Sequence, residues 1–159
     1  MIIINRLIYF ACVVFSSVTI ASDWEKIPLD ATVTGFATES KIGSGKVILS
    51  DITTGTELMA VSLFSVSSHC PSGRGTGNAY MYINHNLVEM DFVCTSPGHA
   101  MYIGKKKRGK DYIFLEFTNK TEVCYAFKKE IKGLCFSAMG FSSASSQLSD
   151  ILVERNNAY

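Results

Sequence analysis

The stretch "AYMYINHNLVEMDFV" (79–93) decides the fold, because it holds two strand patterns joined by a tight turn. The arms "AYMYI" (79–83) and "LVEMDFV" (87–93) flank "NHN" (84–86), and asparagine tolerates the left-handed backbone that tight turns need. Successive strand residues point to opposite faces. One face of the second arm therefore carries Val88, Met90 and Phe92, and the other carries Leu87, Glu89, Asp91 and Val93. The stretch predicts a β-hairpin with one apolar face and one face with two acids.

Short alternating runs recur on both sides of this hairpin, separated every eight to twelve residues by Gly, Asn or Ser. That spacing is typical of an all-β sandwich or barrel. The other predicted strands are "ATVTGFAT" (31–38), "KVILS" (46–50), "ELMAVSLFSV" (57–66), "HAMYIG" (99–104), "DYIFLEF" (111–117), "TEVCYAF" (121–127) and "GLCFSA" (133–138). We expect an all-β fold, an antiparallel β-sandwich or barrel-like domain.

The last segment, "GFSSASSQLSDILVER" (140–155), has a different period. Its apolar residues fall at helical spacing, and Ser142 and Ser143 are candidates to cap the first turn. The segment predicts a C-terminal α-helix docked on the sheet. The apolar positions are Phe141, Ala144, Leu148, Ile151 and Leu152.

The first 21 residues have the pattern of a cleaved secretory signal. Arg6 precedes an apolar run from Leu7 to Ala21, and Thr19 and Ala21 are small enough for a signal-peptidase site. An uncleaved anchor is the alternative, but the run is short for a membrane span, which needs about 20 apolar residues. We expect a signal peptide over residues 1–21, followed by a single β-rich domain over residues 22–159 in the periplasm or outside the cell.

Charge is distributed unevenly along the predicted mature chain. Residues 22–104 contain four basic and eight acidic residues, whereas residues 105–159 contain ten basic and six acidic residues. The charges of the two parts balance to a net charge of zero, whereas a nucleic-acid-binding domain is usually basic as a whole. The composition therefore argues against nucleic acid as a partner.

Four cysteines remain after the signal, and an even number in an exported chain indicates disulfides. Cys124 and Cys135 lie equally far from the Lys129–Glu130 midpoint. A turn at that midpoint places the two residues opposite each other on neighbouring strands, at a separation that a disulfide can bridge. We predict a Cys124–Cys135 disulfide and, by elimination, a Cys70–Cys94 disulfide. Metal-binding thiols are the alternative, but the chain has no C-x-x-C spacing, and we predict no metal and no cofactor.

The run "GKKKRGK" (104–110) contains five of the fifteen basic residues of the chain. One interpretation is the tip of a hairpin, bracketed by glycines, in which the lysines discourage pairing between sheet edges. The other is a binding site for an anionic group, because clustered cations create a positive local potential. Exposed tyrosines beside the run would favour binding, and Tyr80, Tyr82, Tyr102 and Tyr112 are the candidates. The candidate binding residues are Lys105, Lys106, Lys107, Arg108 and Lys110.

Motifs for catalysis are weak. "GFSSA" begins like the nucleophile elbow G-x-S-x-G with Ser142 as the serine, but Ala144 replaces the second glycine, and no histidine follows it in the chain. Glu89 and Asp91 share a strand face, which suits either an acid/base pair or an ordinary solvated face. The three histidines, His69, His85 and His99, show no metal-ligand spacing. We therefore predict no catalytic residues.

The stretch "CFSAMGFSSASSQL" (135–148) resembles the closing stretch of the invasion-associated locus B family, in which a final strand runs into a G-F-x-x-A helix start. The match rests on Phe136, Ser137, Gly140, Phe141, Ala144 and Leu148. That family also places a tryptophan near an early cysteine, whereas Trp24 has no cysteine nearby. The resemblance implies an exported bacterial β-rich protein associated with the cell envelope and host invasion, without established catalysis.

We therefore expect a non-enzymatic binding protein of the bacterial envelope, either a virulence accessory or an inhibitor or immunity protein against an envelope-acting enzyme. Its partner would be another protein or an anionic envelope component, and the mature chain would not span the membrane. A small periplasmic hydrolase using Ser142 or the Glu89/Asp91 pair is one alternative. A structural subunit of a surface assembly, recognisable by an exposed apolar edge strand, is another. Asn119 begins a glycosylation sequon, whose use depends on the host.

Overall fold

The computed structural model of the protein describes residues 23–29, 34–41, 43–51, 59–129 and 133–157. The predicted signal peptide lies outside these residues. The described elements, in chain order, are β1 (Glu25–Pro28), β2 (Thr34–Glu39), β3 (Gly45–Asp51), β4 (Met59–Val66), β5 (Thr76–Ile83), β6 (Asn86–Ser96), β7 (His99–Gly104), α1 (Lys107–Asn119), β8 (Glu122–Ala126), β9 (Leu134–Ser137) and α2 (Phe141–Asn156).

The described strands form one antiparallel sheet in the order β1-β2-β3-β4-β7-β6-β5-β8-β9. The sheet curls into a half-barrel. The two lateral sides of the sheet approach each other. Ser40, which follows β2, forms an isolated bridge with Phe136 of β9, and the Lys41 N–H donates to the Cys135 carbonyl at 3.1 Å. The predicted fold class, with a C-terminal helix and two disulfides, is confirmed.

The hairpin predicted around residues 79–93 is formed by β5 and β6. Asn84 and His85 make the turn with φ angles of 42° and 79°, the left-handed backbone that asparagine tolerates. Val88, Met90 and Phe92 are buried on the concave face of the sheet, as the alternation predicts. The acids of β6 therefore lie on the opposite, convex face.

The hairpin predicted around "GKKKRGK" is wrong, because "DYIFLEF" belongs to α1 rather than to a strand. Ile113 and Phe117, four residues apart, are buried against the sheet while Leu115 is exposed, which is a helical pattern. Gly109 lies inside the helix, and a Cβ there would come within 3.0 Å of Val88 Cγ1. This glycine thus permits close packing of α1 on β6 and does not shape a loop.

Both helices cover one end of the half-barrel. Asn84, in the turn of the β5–β6 hairpin, donates to Glu116 of α1 at 2.7 Å. Arg155 of α2 donates to the buried Asp51 at the end of β3. The opposite end carries the loop between β4 and β5, which the predicted Cys70–Cys94 disulfide ties to β6.

The second predicted disulfide, Cys124–Cys135, is also present, and its two residues are directly opposed in the β8–β9 register. Disulfides are typical of oxidising compartments, so the pair of bridges indicates a protein that functions outside the cytoplasm. Within the described ranges, no helix has the length and apolar character required to cross a membrane.

Helix α2 confirms the predicted C-terminal helix, but not its predicted cap. The N-cap position is Gly140, with a φ of 87° that favours glycine, and no side chain caps the helix. Ser142 and Ser143 lie inside the first turn and are exposed. Phe141, Ala144, Leu148 and Leu152 are buried, whereas Ile151 is partly exposed.

Candidate functional site: a basic groove

The five cations of the "GKKKRGK" run surround the start of α1. Lys105 and Lys106 lie between β7 and the helix, and the other three lie in its first turns. Lys106 is the N-cap, without a side-chain hydrogen bond to the helix, and the first turn contains no acid. Because the helix N-terminus already carries partial positive charge, these cations reinforce its potential.

Glu89, on the convex face of β6, holds two of these cations. Its carboxylate oxygens lie 2.8 Å from Lys105 Nζ and 2.9 Å from Lys106 Nζ. These hydrogen bonds, the one from Lys105 first, hold the pKa of Glu89 below its usual range. The same contact raises the pKa of Lys105.

Further acids reduce the positive charge of the run. Lys107 forms an ion pair with Asp111 at 2.7 Å, one helical turn away. With its amide nitrogen facing Asp91, Asn78 donates to that carboxylate at 2.8 Å and accepts from Lys105 at 2.9 Å. Five cations beside the carboxylates of Glu89, Asp91 and Asp111 leave a net charge of +2. Arg108 forms no ion pair within the part of the chain that the structure describes.

A groove of about 560 Å³ separates the start of α1 from the convex side of the β5–β6 hairpin. We call it the basic groove and define it by Tyr80, Leu87, Glu89, Lys106, Arg108 and Tyr112. Tyr80 and Leu87 are 59% and 56% exposed, which is high for large apolar side chains. The groove therefore combines cations on its helix side with uncovered apolar surface on its sheet side.

Tyr112 fixes the floor of the basic groove to the hairpin. Its hydroxyl donates to the Ile83 carbonyl at 3.0 Å and accepts from Asn86 Nδ2 at 2.7 Å. Partial burial raises the pKa of this phenol, so it stays protonated and keeps both contacts at neutral pH. The start of α1 is thereby held in place relative to β5 and β6.

The structure brings only part of the predicted binding set together. Lys106 and Arg108 line the basic groove, whereas Lys105, Lys107 and Lys110 do not. Of the candidate tyrosines, Tyr80 and Tyr112 line it, but Tyr102 is buried in the core. Leu87 was not among the candidate binding residues predicted from the sequence. The available signal was an apolar residue on the strand face that also carries Glu89 and Asp91.

The alternative catalytic residues Ser142, Glu89 and Asp91 form no hydrogen bond to a histidine among the described residues. His69 stacks near Phe92, with ring centroids 5.2 Å apart, and His99 contacts the Pro97 carbonyl at 3.0 Å. The pKa of Glu89 is lowered by its lysines, which is the reverse of what a general acid requires.

One group among the described residues has ligand atoms close enough for a metal ion: Glu122, Cys124 and Cys135. The two sulfurs are joined in a disulfide. A disulfide sulfur is not a thiolate, the form in which cysteine binds metals. This group is therefore explained by the disulfide.

Comparison with known proteins gives no assignment. No family model, no curated protein and no solved structure matches the chain.

Proposed function

We propose that the protein is an exported, non-enzymatic binding protein of the bacterial envelope that holds an acidic surface of a partner protein in the basic groove. The observation that carries this proposal is the placement of Lys106 and Arg108 beside the exposed Tyr80 and Leu87 in one groove. Arginine and tyrosine are the residue types that most often dominate the energy of protein interfaces.

The chemistry of the groove favours a protein partner over a purely ionic one. Glu89 neutralises part of the charge of Lys105 and Lys106, so the groove attracts anions less strongly than the sequence implies. Uncovered apolar area therefore has to supply part of the binding free energy. An acidic loop that carries an apolar or aromatic side chain satisfies both sides of the groove.

Rigidity supports the same proposal. Cys124–Cys135 and Cys70–Cys94 constrain the sheet, and Tyr112 fixes α1 to the hairpin. A preformed site loses little conformational entropy when it binds. This suits an inhibitor or immunity protein against an enzyme of the envelope, and the resemblance to the invasion-associated locus B family adds a virulence accessory as a second role of the same kind.

The structural-subunit alternative predicts an apolar strand at a free sheet edge. The edge strand β1 reads "EKIP", with two charged residues and a proline, and only Ile27 is partly buried. Charged residues and proline are features that discourage edge-to-edge assembly. The binding proposal is therefore preferred.

The test is affinity capture from an envelope extract of the producing organism, using the mature chain and two pairs of variants. Arg108→Glu reverses charge in the basic groove, and Lys120→Glu makes the same change at the other end of α1. Leu87→Ser removes exposed apolar area from the groove, and Leu115→Ser does so on the outer side of the helix. Circular dichroism establishes that all five proteins are folded.

We expect one partner to be captured by the mature chain and both controls, and lost with both groove variants. Because a single desolvated arginine contact is worth at least about 1–2 kcal/mol, the loss should be tenfold or more. Rising salt should weaken the capture. Equal capture by Arg108→Glu and Lys120→Glu would refute the basic groove as the site.

A further inference from the structure

We infer that the open end of the half-barrel binds a small amphipathic anion, an apolar chain that ends in one carboxylate. The site is a second cavity, of about 420 Å³, which we call the mouth cavity. Its lining includes Val66 at the end of β4, Met81 of β5, Phe127 and Lys128 after β8, and Leu134 at the start of β9. It shares no residue with the basic groove and does not depend on the proposed function.

The mouth cavity forms at the outermost row of the concave face, where its lining has small side chains. Ser65 belongs to that row, and Ser44, Ala126 and Gly133 also contribute little volume to the walls. The two helices cover the other end, and no described helix covers this one. The next row inward fills the half-barrel with the large side chains of Val47, Leu63 and Tyr102.

The walls of the mouth cavity are apolar and stay uncovered at the rim. Met81 is buried and Leu134 is partly buried, whereas Val66 is 58% exposed and Phe127 is also exposed. The ring of His69 packs near Phe127, with ring centroids 6.1 Å apart. A concave apolar surface with few polar groups is the usual form of a small-molecule site.

Lys128 selects the head group of the ligand. Among the described residues that line the mouth cavity it is the cation, it is exposed, and it forms no ion pair with another described residue. A carboxylate at the rim would contact this ammonium while its chain lies against Met81 and Leu134. The ligand is a free amphiphile rather than a bilayer lipid, because its chain has to enter the cavity.

The volume sets the length of the chain. A volume of 420 Å³ equals that of about 14 water molecules at ~30 Å³ each, and a methylene group is similar in size to a water molecule. A chain of about ten carbons therefore fits, with room left for the head group. Decanoate is the probe that matches both the length and the charge.

The experiment is isothermal titration calorimetry of the mature chain with decanoate, with decanol, which has the chain alone, and with acetate, which has the head group alone. Amphiphiles are kept below the concentration at which they aggregate. We expect decanoate to bind at one site. Decanol should bind about fivefold more weakly, because it lacks the one exposed ion pair with Lys128. Acetate should not bind.

Two pairs of variants locate the site. Val66→Trp fills the rim of the mouth cavity and should abolish binding of decanoate and decanol. Val153→Trp makes the same change at a 56% exposed valine on α2 and should bind as the wild type does. Lys128→Glu should weaken decanoate about tenfold and leave decanol unchanged, whereas Lys26→Glu, on β1, should affect neither.

Either of two results would overturn the inference: no binding of decanoate to the folded wild-type chain, or equal binding to the wild type and to Val66→Trp. Equal weakening of decanoate by Lys128→Glu and Lys26→Glu would overturn the assignment of the head group, since it would show only an effect of net charge. Near-ultraviolet circular dichroism identifies any variant that has lost its fold, in which case Phe127→Ala, which removes one wall, replaces Val66→Trp.

Discussion

The indole N–H of Trp24 donates a hydrogen bond to the carbonyl oxygen of Ser137 at 3.1 Å, across 113 residues of sequence. The indole ring lies 5.5 Å from Phe117 of α1 and 5.1 Å from Phe141 of α2, measured between centroids, with interplanar angles of 88° and 67°. One side chain at the start of the described chain therefore contacts the last strand and both helices. It closes the covered end of the half-barrel.

Trp24→Phe should lower the free energy of unfolding by about 1–2 kcal/mol, because it removes a buried hydrogen bond while it keeps an aromatic ring. Trp24→Ala should cost about 3–5 kcal/mol, because it also leaves a cavity. Urea unfolding followed by circular dichroism measures both, since Trp24 is the only tryptophan and its fluorescence is lost. Tyr80→Ala, at an exposed aromatic residue, is the control and should change stability by no more than about 0.5 kcal/mol.

Tyr125→Phe should stabilise the protein. The Tyr125 hydroxyl is buried without a hydrogen-bond partner among the described residues, and its burial raises its pKa, so it is a neutral, unsatisfied group. An unsatisfied buried polar group costs about 1–3 kcal/mol, so its removal should raise the free energy of unfolding by about 1 kcal/mol.

Tyr102→Phe is the matched control for this prediction. The Tyr102 hydroxyl donates to Ser67 Oγ at 2.7 Å, so the same chemical change removes an existing hydrogen bond. It should destabilise the protein by about 1 kcal/mol. Effects of equal sign for the two variants in urea unfolding would contradict the assignment of Tyr125 as unsatisfied.

The contact of Glu89 with Lys105 and Lys106 should make stability depend on acid pH. The pKa of Glu89 is lowered in the folded state, so the folded protein binds the proton less readily than the unfolded chain. Its stabilisation is complete above the ordinary glutamate pKa of about 4.3 and is lost as the pH falls through the folded pKa.

Thermal unfolding midpoints between about pH 6 and pH 2 measure this loss. The decrease in midpoint should be smaller in Glu89→Gln than in the wild type, because the amide cannot be protonated in that range. Asp150→Asn, at an exposed carboxylate of α2, should retain the wild-type profile. A Glu89→Gln profile that falls as steeply as the wild type would show that the lysine contacts contribute nothing in solution.

Local patterns predicted β5 and β6 well because buried and more exposed side chains alternate along these two strands. The alternation around Met90 located the hairpin, and the symmetry about Lys129–Glu130 located the Cys124–Cys135 disulfide. Both inferences need only neighbouring segments. The pairing of β4 with β7 and of β5 with β8 brings together distant segments, and the alternation within each strand does not contain that information.

Helix α1 was missed because its residues favour strands. Tyr112, Ile113, Phe114 and Phe117 are aromatic or β-branched, and such residues are enriched in β-structure. Tertiary packing decides in favour of the helix, since Ile113 and Phe117 meet the core at helical spacing. The basic groove was missed for the same reason, because Arg108 faces Leu87 only when α1 packs back on β6.

The contribution of each disulfide to stability should rise slowly, with the logarithm of the length of the loop that it closes. Their sequence separations are 24 for Cys70–Cys94 and 11 for Cys124–Cys135. The loop-entropy model then gives about 3.5 and about 3 kcal/mol. Double replacement of each pair by serine, followed by urea unfolding under non-reducing conditions, measures the two contributions. A loss below about 1 kcal/mol for either pair would contradict the loop-entropy account of that bridge.

Lys106→Ser should make the protein more stable and a weaker binder. Lys106 is the N-cap of α1 and makes no side-chain hydrogen bond to the helix, whereas a serine there can accept from the free N–H groups of the first turn. That cap is worth about 1 kcal/mol. The change also gives up one exposed ion pair with Glu89, a weak contribution, while the Lys105 contact remains. A net gain in the free energy of unfolding, smaller than the value of the cap alone, is expected in urea unfolding.

The same substitution removes a cation from the basic groove, so capture of the partner should decrease although the fold is more stable. Lys120→Ser is the control, because Lys120 is an exposed lysine at the C-cap of the same helix and lies outside the groove lining. This variant should change the free energy of unfolding by no more than about 0.5 kcal/mol, and it should capture the partner as the wild type does. A Lys106→Ser protein that is more stable and binds as well as the wild type would show that this lysine is not part of the site. Greater stability with weaker capture would mean that the uncapped, basic helix start is retained for binding at the expense of stability.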